Sequence, residues 1–289
     1  MSGAVIEIPR FAAWELGAHR FRKEHHAPHR PVVLVGAARW SGAGAVGSLP
    51  ALAARHGDRA VATRVFDAVQ RRGYLRFCSL QKRIEQQPLA QFITQTALRE
   101  PEPEPDAARI REVRYLRIGE RDDTLPGLLE GLELPSLFTH EGTGVSDFSA
   151  QDTCLRIGPP SYEYPAHCDN TDNLLLQLAG RKELALFEPS CIASMYPNPE
   201  DLARSQVDDI DHPDSARFPA FAGLTRYVAA LDAGDAVYIP ALWFHNVRAI
   251  GPGISVSRHY RRADHRGYVH ALKPAAWHAF EARIGRRVY

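Results

Sequence analysis

Two histidines and an aspartate carry the clearest chemistry in this chain. His167 and Asp169 frame the tripeptide His167-Cys168-Asp169. His245 lies downstream in Gly234-Asp-Ala-Val-Tyr-Ile-Pro-Ala-Leu-Trp-Phe-His-Asn246. On a strand, residues two apart point to one face, so an imidazole and a carboxylate would stand side by side. A Gly-Asp turn, a strand, a Pro corner and an aromatic strand would bring His245 to the same barrel mouth. Two neutral imidazoles and one carboxylate on one face of an octahedron suit non-haem iron(II) and leave open positions for small ligands and O₂. An isolated HxD is common on strand surfaces, so its surroundings decide its meaning.

Those surroundings are mostly short strands. Val113–Ile118, Thr153–Ile157, Asn173–Leu178, Glu183–Phe187, Arg226–Leu231, Ala236–Ile239, Trp243–Val247 and Ile254–Tyr260 read as strands. They are punctuated at Gly158-Pro-Pro160, Gly180, Pro189, Gly234-Asp235 and Gly251-Pro-Gly253. Many short strands with such turns predict a mainly β fold, a barrel or sandwich. Upstream, Phe11–Lys23, Leu49–His56 and Leu89–Leu98 have helical spacing, whereas Pro31–Gly36 and Val61–Val65 read as strands. Glu100–Asp106 is a proline-rich acidic loop, and the polar stretch Asn198–Arg217 reads as an insertion between strands. Val269–Ile284 has a helical pattern. The expectation is one domain over 1–289: a mixed α/β part at 1–110, a barrel at 111–262 and a helical tail at 263–289.

Composition narrows the class. The chain has 289 residues, 45% hydrophobic and 24% charged, with a formal net charge of +1. That balance demands neither nucleic acid nor an anionic membrane as partner. No run approaches the roughly 18 apolar residues of a membrane span, and Met1–Arg10 lacks the apolar core of a signal peptide. Cys78, Cys154, Cys168 and Cys191 show no CxxC pairing, which argues against a cysteine zinc site and fits a reducing, cytoplasmic location. His25, His26 and His29 form a second histidine cluster, read as solvated because it follows a basic segment and lacks an acidic ligand nearby.

The motifs together resemble the cupin-type Jumonji-C hydroxylases, with the tRNA wybutosine hydroxylase branch nearest in look. The resemblance covers nearly the whole chain. It is carried by Arg30-Pro-Val-Val-Leu-Val-Gly36 with Trp40, and by Arg114-Tyr-Leu-Arg-Ile-Gly-Glu120. It continues through His167-Cys-Asp-Asn-Thr-Asp-Asn-Leu-Leu-Leu-Gln177 with Gly180-Arg-Lys-Glu-Leu-Ala-Leu-Phe187, and through the His245 block to Val247.

The resemblance implies a double-stranded β-helix (cupin or jelly-roll) barrel with helical N- and C-terminal elements. It implies iron(II) on His167, Asp169 and His245, with 2-oxoglutarate and O₂ as cosubstrates. Lys182 would meet the distal carboxylate of 2-oxoglutarate, assisted by Tyr115 and Asn173. Ser257 stands twelve residues after His245, where the family commonly has an asparagine near the cosubstrate. Cys168 is expected to point away from the metal, and His259 to be structural. The substrate reading places a protein or peptide side chain narrowly ahead of a modified tRNA base or a small metabolite. A non-catalytic cupin binding protein is the reading from another class. The basic runs His19–Lys23 and Arg258–Arg262 could attract phosphate, but the net charge favours solvated faces. A homodimer through the tail, with Trp277 and Phe280, is expected from family habit.

Overall fold

The computed structural model describes residues 3–37, 39–40, 48–79, 81–99, 110–119, 132–133 and 153–260. Ten strands build the frame of the site. They are β1 (Val32–Val35), β2 (Ala60–Arg71), β3 (Tyr74–Phe77), β4 (Ile110–Gly119), β5 (Thr153–Ile157), β6 (Tyr162–His167), β7 (Asp172–Phe187), β8 (Arg226–Leu231), β9 (Ala236–Ile239) and β10 (Phe244–Tyr260). The long strands β7 and β10 pair antiparallel from Asp172 opposite Tyr260 to Phe187 opposite Phe244. The first half of β7 has β9 on its other edge, and the second half has β8. Likewise β10 pairs β5 through its second half and β6 through its first. The path β6-β3-β2-β4-β5-β10 returns to β6, so the sheet closes on itself as a barrel.

Glycine permits the long hairpin to pass between the two halves. Gly180 has φ +76°, and a Cβ there would lie 2.2 Å from the Pro252 carbonyl oxygen. On the facing strand, a Cβ on Gly253 would meet the Ala179 carbonyl oxygen at 2.8 Å. The register shifts on both sides of Ala179, where the ladder bends.

Alternation along the strands divides their faces. Leu116, Ile118, Leu155, Ile157, Leu174, Leu176, Ile254 and Val256 turn outward. There they are covered by α1 (Leu49–His56) and α2 (Leu89–Phe92), through Leu49, Leu52, Leu89 and Phe92. The alternate residues Tyr115, Arg117, Arg156, Asn173, Ser257 and His259 line an interior cavity. The helices therefore bury the apolar outer face, and the inner face is left free to be polar.

Several expectations change. The stretch expected to be helical from Phe11 begins instead as a strand, Arg10–Ala12, paired parallel with Val33–Val35, and only Ala18–Phe21 is α-helical. The strands expected separately at Asn173–Leu178 and Glu183–Phe187 are one, as are those at Trp243–Val247 and Ile254–Tyr260. In both cases the intervening glycines bend the strand without ending it. The histidine cluster is not solvated: His25 and His29 are buried, and His26 Nε2 lies 3.5 Å from Asp172 Oδ2. The turn carrying them packs on the barrel, with Phe21 against Tyr238. The acidic loop at 100–106 and the tail with Trp277 and Phe280 lie outside the described residues. Among the described residues, no helix is long and apolar enough to cross a membrane.

Candidate active site

His167 is the last residue of β6 and sits directly opposite His245 of β10. Their rings are 4.2 Å apart between centroids. A register shift between Tyr164 and His167 makes this arrangement, because residues three apart on a regular strand point to opposite faces. Here both line the cavity, and their rings touch edge to face at 4.9 Å. Asp169 lies beyond the end of the strand. The expected i, i+2 strand geometry is therefore replaced by a loop, pinned where the Asp169 carbonyl accepts the Leu242 N–H at 2.8 Å. Asp172 ties the same corner together, accepting the Tyr238 hydroxyl and the Ala241 N–H. Cys168 turns away into the apolar cluster with Phe187 and Phe244, as expected.

One ligand atom from each of His167, Asp169 and His245 lies within 4.8 Å of the others. Each histidine has Nδ1 against a backbone carbonyl two residues back, Pro165 at 2.9 Å and Trp243 at 3.0 Å. A carbonyl only accepts, so Nδ1 carries the proton and Nε2 presents its lone pair. Burial, and then His245, push the His167 pKa down, which keeps that ring neutral. Burial opposes ionisation of Asp169. Its histidine neighbours, His259 first, and Arg156 more than offset this and hold its carboxyl well below the usual range. Two neutral nitrogen donors and an ionised oxygen donor fit a divalent metal of the iron class.

All seven residues singled out in the sequence meet in one cavity of about 210 Å³. Lys182 is 4% exposed, and its Nζ donates to Ser255 Oγ. No carboxylate pairs with it among the described residues. Burial, and secondarily Arg156, press its pKa down to about 7. Asn173 is buried, and among the described residues its Oδ1 accepts no hydrogen bond. Tyr115 packs edge-on to Tyr162 at 5.6 Å, and Ser257 pairs in register with Cys154 and Leu175. A buried lysine without an acidic partner among the described residues fits a carboxylate of a small ligand.

The structure adds residues the motifs did not single out. Ser255, two before Ser257 on the same face, holds Lys182. His259, expected to be structural, lines the cavity with Nδ1 3.0 Å from Thr171 Oγ1 and 4.0 Å from Asp169 Oδ2. Strand alternation from Ser257 was the available signal for both. Arg64, Arg117 and Arg156 also line the cavity.

Residues 18–266 match the sequence profile of the cupin-like domain family. The chain belongs to that family. Its relatives mark it as a Jumonji-C type of cupin-like protein, close to the wybutosine-synthesizing branch. The tRNA wybutosine-synthesizing protein 5 of Homo sapiens is 38% identical over 131 residues, or 45% of this chain and 38% of that protein. The Jumonji C domain-containing protein 5 of Drosophila melanogaster is 32% identical over 148 residues, covering 51% of this chain and 36% of its own length. Lysine-specific demethylase 8 of Danio rerio is 32% identical over 149 residues, with 50% and 35% covered. This cupin-like protein thus spans less than half the length of the curated relatives it matches.

Proposed function

We propose that this cupin-like protein is an iron(II)- and 2-oxoglutarate-dependent oxygenase. The observation that carries the reading is a single cavity. It holds two imidazoles with Nε2 freed, an ionised carboxylate within 4.8 Å, and a buried lysine lacking an acidic partner among the described residues. His167, Asp169 and His245 would hold the metal. Bound iron(II) supplies the redox centre at which 2-oxoglutarate and O₂ react and a substrate C–H bond is oxidised.

The chain's own residues do the positioning. The two carbonyls that accept from Nδ1 fix the tautomer and aim of each imidazole. Lys182, oriented by Ser255, pairs with the distal carboxylate of 2-oxoglutarate, and binding returns it to the ammonium form. Asn173 and Tyr115 offer an amide and a hydroxyl to the same cosubstrate. Ser257 leaves more room there than the family's asparagine. The apolar residues Leu175, Ile239 and Val247 close the remaining wall and limit water.

For the substrate, a protein or peptide side chain and a modified tRNA base are the two readings carried forward. The tRNA reading draws support from the higher identity to relatives named for wybutosine synthesis, 38% against 32% for those named for Jumonji C or demethylase roles. The test is succinate formation from 2-oxoglutarate under air with iron(II), run beside zinc(II). Peptide and RNA pools are then screened for a mass gain of one oxygen atom. Iron-specific succinate formation is expected. Failure to bind 2-oxoglutarate by calorimetry would favour a non-catalytic cupin.

A further inference from the structure

The cavity holds more positive charge than one cosubstrate accounts for. Arg64 on β2, Arg117 on β4 and Arg156 on β5 all line it. These three strands are neighbours. Arg117 and Arg156 stand directly opposite each other, and Arg64 is opposite Tyr115, two residues from Arg117 on the same face. Like charges face to face across a strand pair are destabilising, so such a row is unusual unless something neutralises it.

Among the described residues, no carboxylate forms an ion pair with any of the three, and Asp169 is the one carboxylate lining the cavity. Arg156 Nε is buried without a hydrogen-bond partner. Its Nη2 lies 3.5 Å from His259 Nε2, beside the metal-ligand group. Arg117 Nε donates to the Cys154 sulfur, at 3.4 Å. Burial, and after it Arg117 and Arg156, push the Arg64 pKa below its ordinary value.

A 2-oxo diacid has one carboxylate for the metal and one for Lys182. Both are then used, and the arginine row remains. We propose that Arg64, Arg117 and Arg156 form a second anion site, which takes a carboxylate or phosphate group of the primary substrate and so sets that substrate over the metal ligands. Guanidinium forks suit this role because they grip either oxyanion through paired N–H donors. The assignment to the primary substrate rests on the oxygenase reading; the anion site itself does not.

Calorimetry with inorganic phosphate and with acetate tests it on the metal-free full chain. Saturable binding of at least one anion is expected. Arg117→Met and Arg64→Gln should each weaken it by roughly tenfold or more, the weight of a hydrogen bond to a charged group. Tighter phosphate binding points to a phosphate-bearing substrate, and equal acetate binding to a carboxylate-bearing one; both support the site.

The wild-type protein, loaded with manganese(II) and saturated with 2-oxoglutarate, supplies an arm that needs no variant. There the phosphate affinity should be unchanged, as two independent sites require. No saturable binding of either anion, or phosphate displaced by 2-oxoglutarate, would overturn the proposal. If 2-oxoglutarate does not bind the manganese form while phosphate binds the metal-free chain, the oxygenase reading fails and the anion site stands.

Discussion

Two groups of arginines in this barrel are treated in opposite ways. Behind β6, Arg76 meets Glu163 at 3.0 Å and Asp209 at 2.8 Å, while Arg248 meets Glu163 at 3.3 Å and Asp211 at 2.5 Å. Every guanidinium there has a carboxylate, and Glu163 is shared. Inside the barrel, Arg64, Arg117 and Arg156 have none among the described residues. Arg76 is buried and paired, as buried cations ordinarily are, and its group reads as architecture; Arg64, Arg117 and Arg156 are half-buried on the cavity wall and read as a surface prepared for an anion that comes and goes. Lys182 belongs with the second group. The contrast teaches that an unpaired charge is more informative than a paired one about where a ligand goes.

The largest effect should come from breaking the paired group. Glu163→Gln takes away the carboxylate that Arg76 and Arg248 share, leaving each with a single carboxylate partner, Asp209 or Asp211, and should lower stability by about 2–3 kcal/mol, the weight of a lost hydrogen bond to a charged group. Denaturant unfolding measures it, and a loss under 1 kcal/mol would remove the distinction between the groups.

Next is Lys182→Met, which keeps the stem but removes the charge. It should weaken 2-oxoglutarate binding roughly 10- to 150-fold, from the 1.5–3 kcal/mol of a hydrogen bond to a charged group. Titration calorimetry reads this directly.

A third prediction uses pH. Lys182 has a folded pKa of about 7 against an ordinary 10.5. Between those values the unfolded chain binds the extra proton, so this group makes the ligand-free protein more stable as pH rises through that window. The slope is at most about 1.4 kcal/mol per pH unit. Below it the lysine is charged in both states and contributes no slope. Unfolding measured from pH 7 to 9 should show the rise in wild type but not in Lys182→Met.

The smallest effect has the opposite sign to the first. Arg117→Met removes one of two facing like charges and should stabilise the ligand-free protein by about 0.2–1 kcal/mol. Destabilisation by more than 1 kcal/mol would mean that Arg117 is architectural after all.

The sequence made much of this legible. Thr153–Ile157, Arg226–Leu231 and Ala236–Ile239 form strands within the bounds read from alternation and flanking turns. Leu49–His56 is helical as its spacing predicts, with Ser48 capping it. Lys182 and Asn173 are inward-facing as the motif implied. What the pattern missed depends on tertiary contacts. The bend at Gly180 and Gly253 looks like two chain breaks until the strands are paired. The irregularity before His167 falls at Pro165, which lacks the N–H a regular ladder needs and marks a bulge, but the proline alone does not say that His167 is turned into the cavity. The arginine row is invisible because Arg64, Arg117 and Arg156 are far apart in the chain, and each alone reads as a solvated strand residue. His25 and His29 look solvated for the same reason: the barrel wall that buries them is distant in sequence.

His167, Asp169 and His245 would together form an iron centre that consumes 2-oxoglutarate. The most direct test compares wild type with the His167→Ala/Asp169→Ala double variant. Iron(II) binding and 2-oxoglutarate-dependent succinate formation are measured on the same samples, with circular dichroism to confirm folding. Wild type should bind one iron per chain and form succinate, and the folded double variant should do neither. Full succinate formation by the double variant would contradict the account.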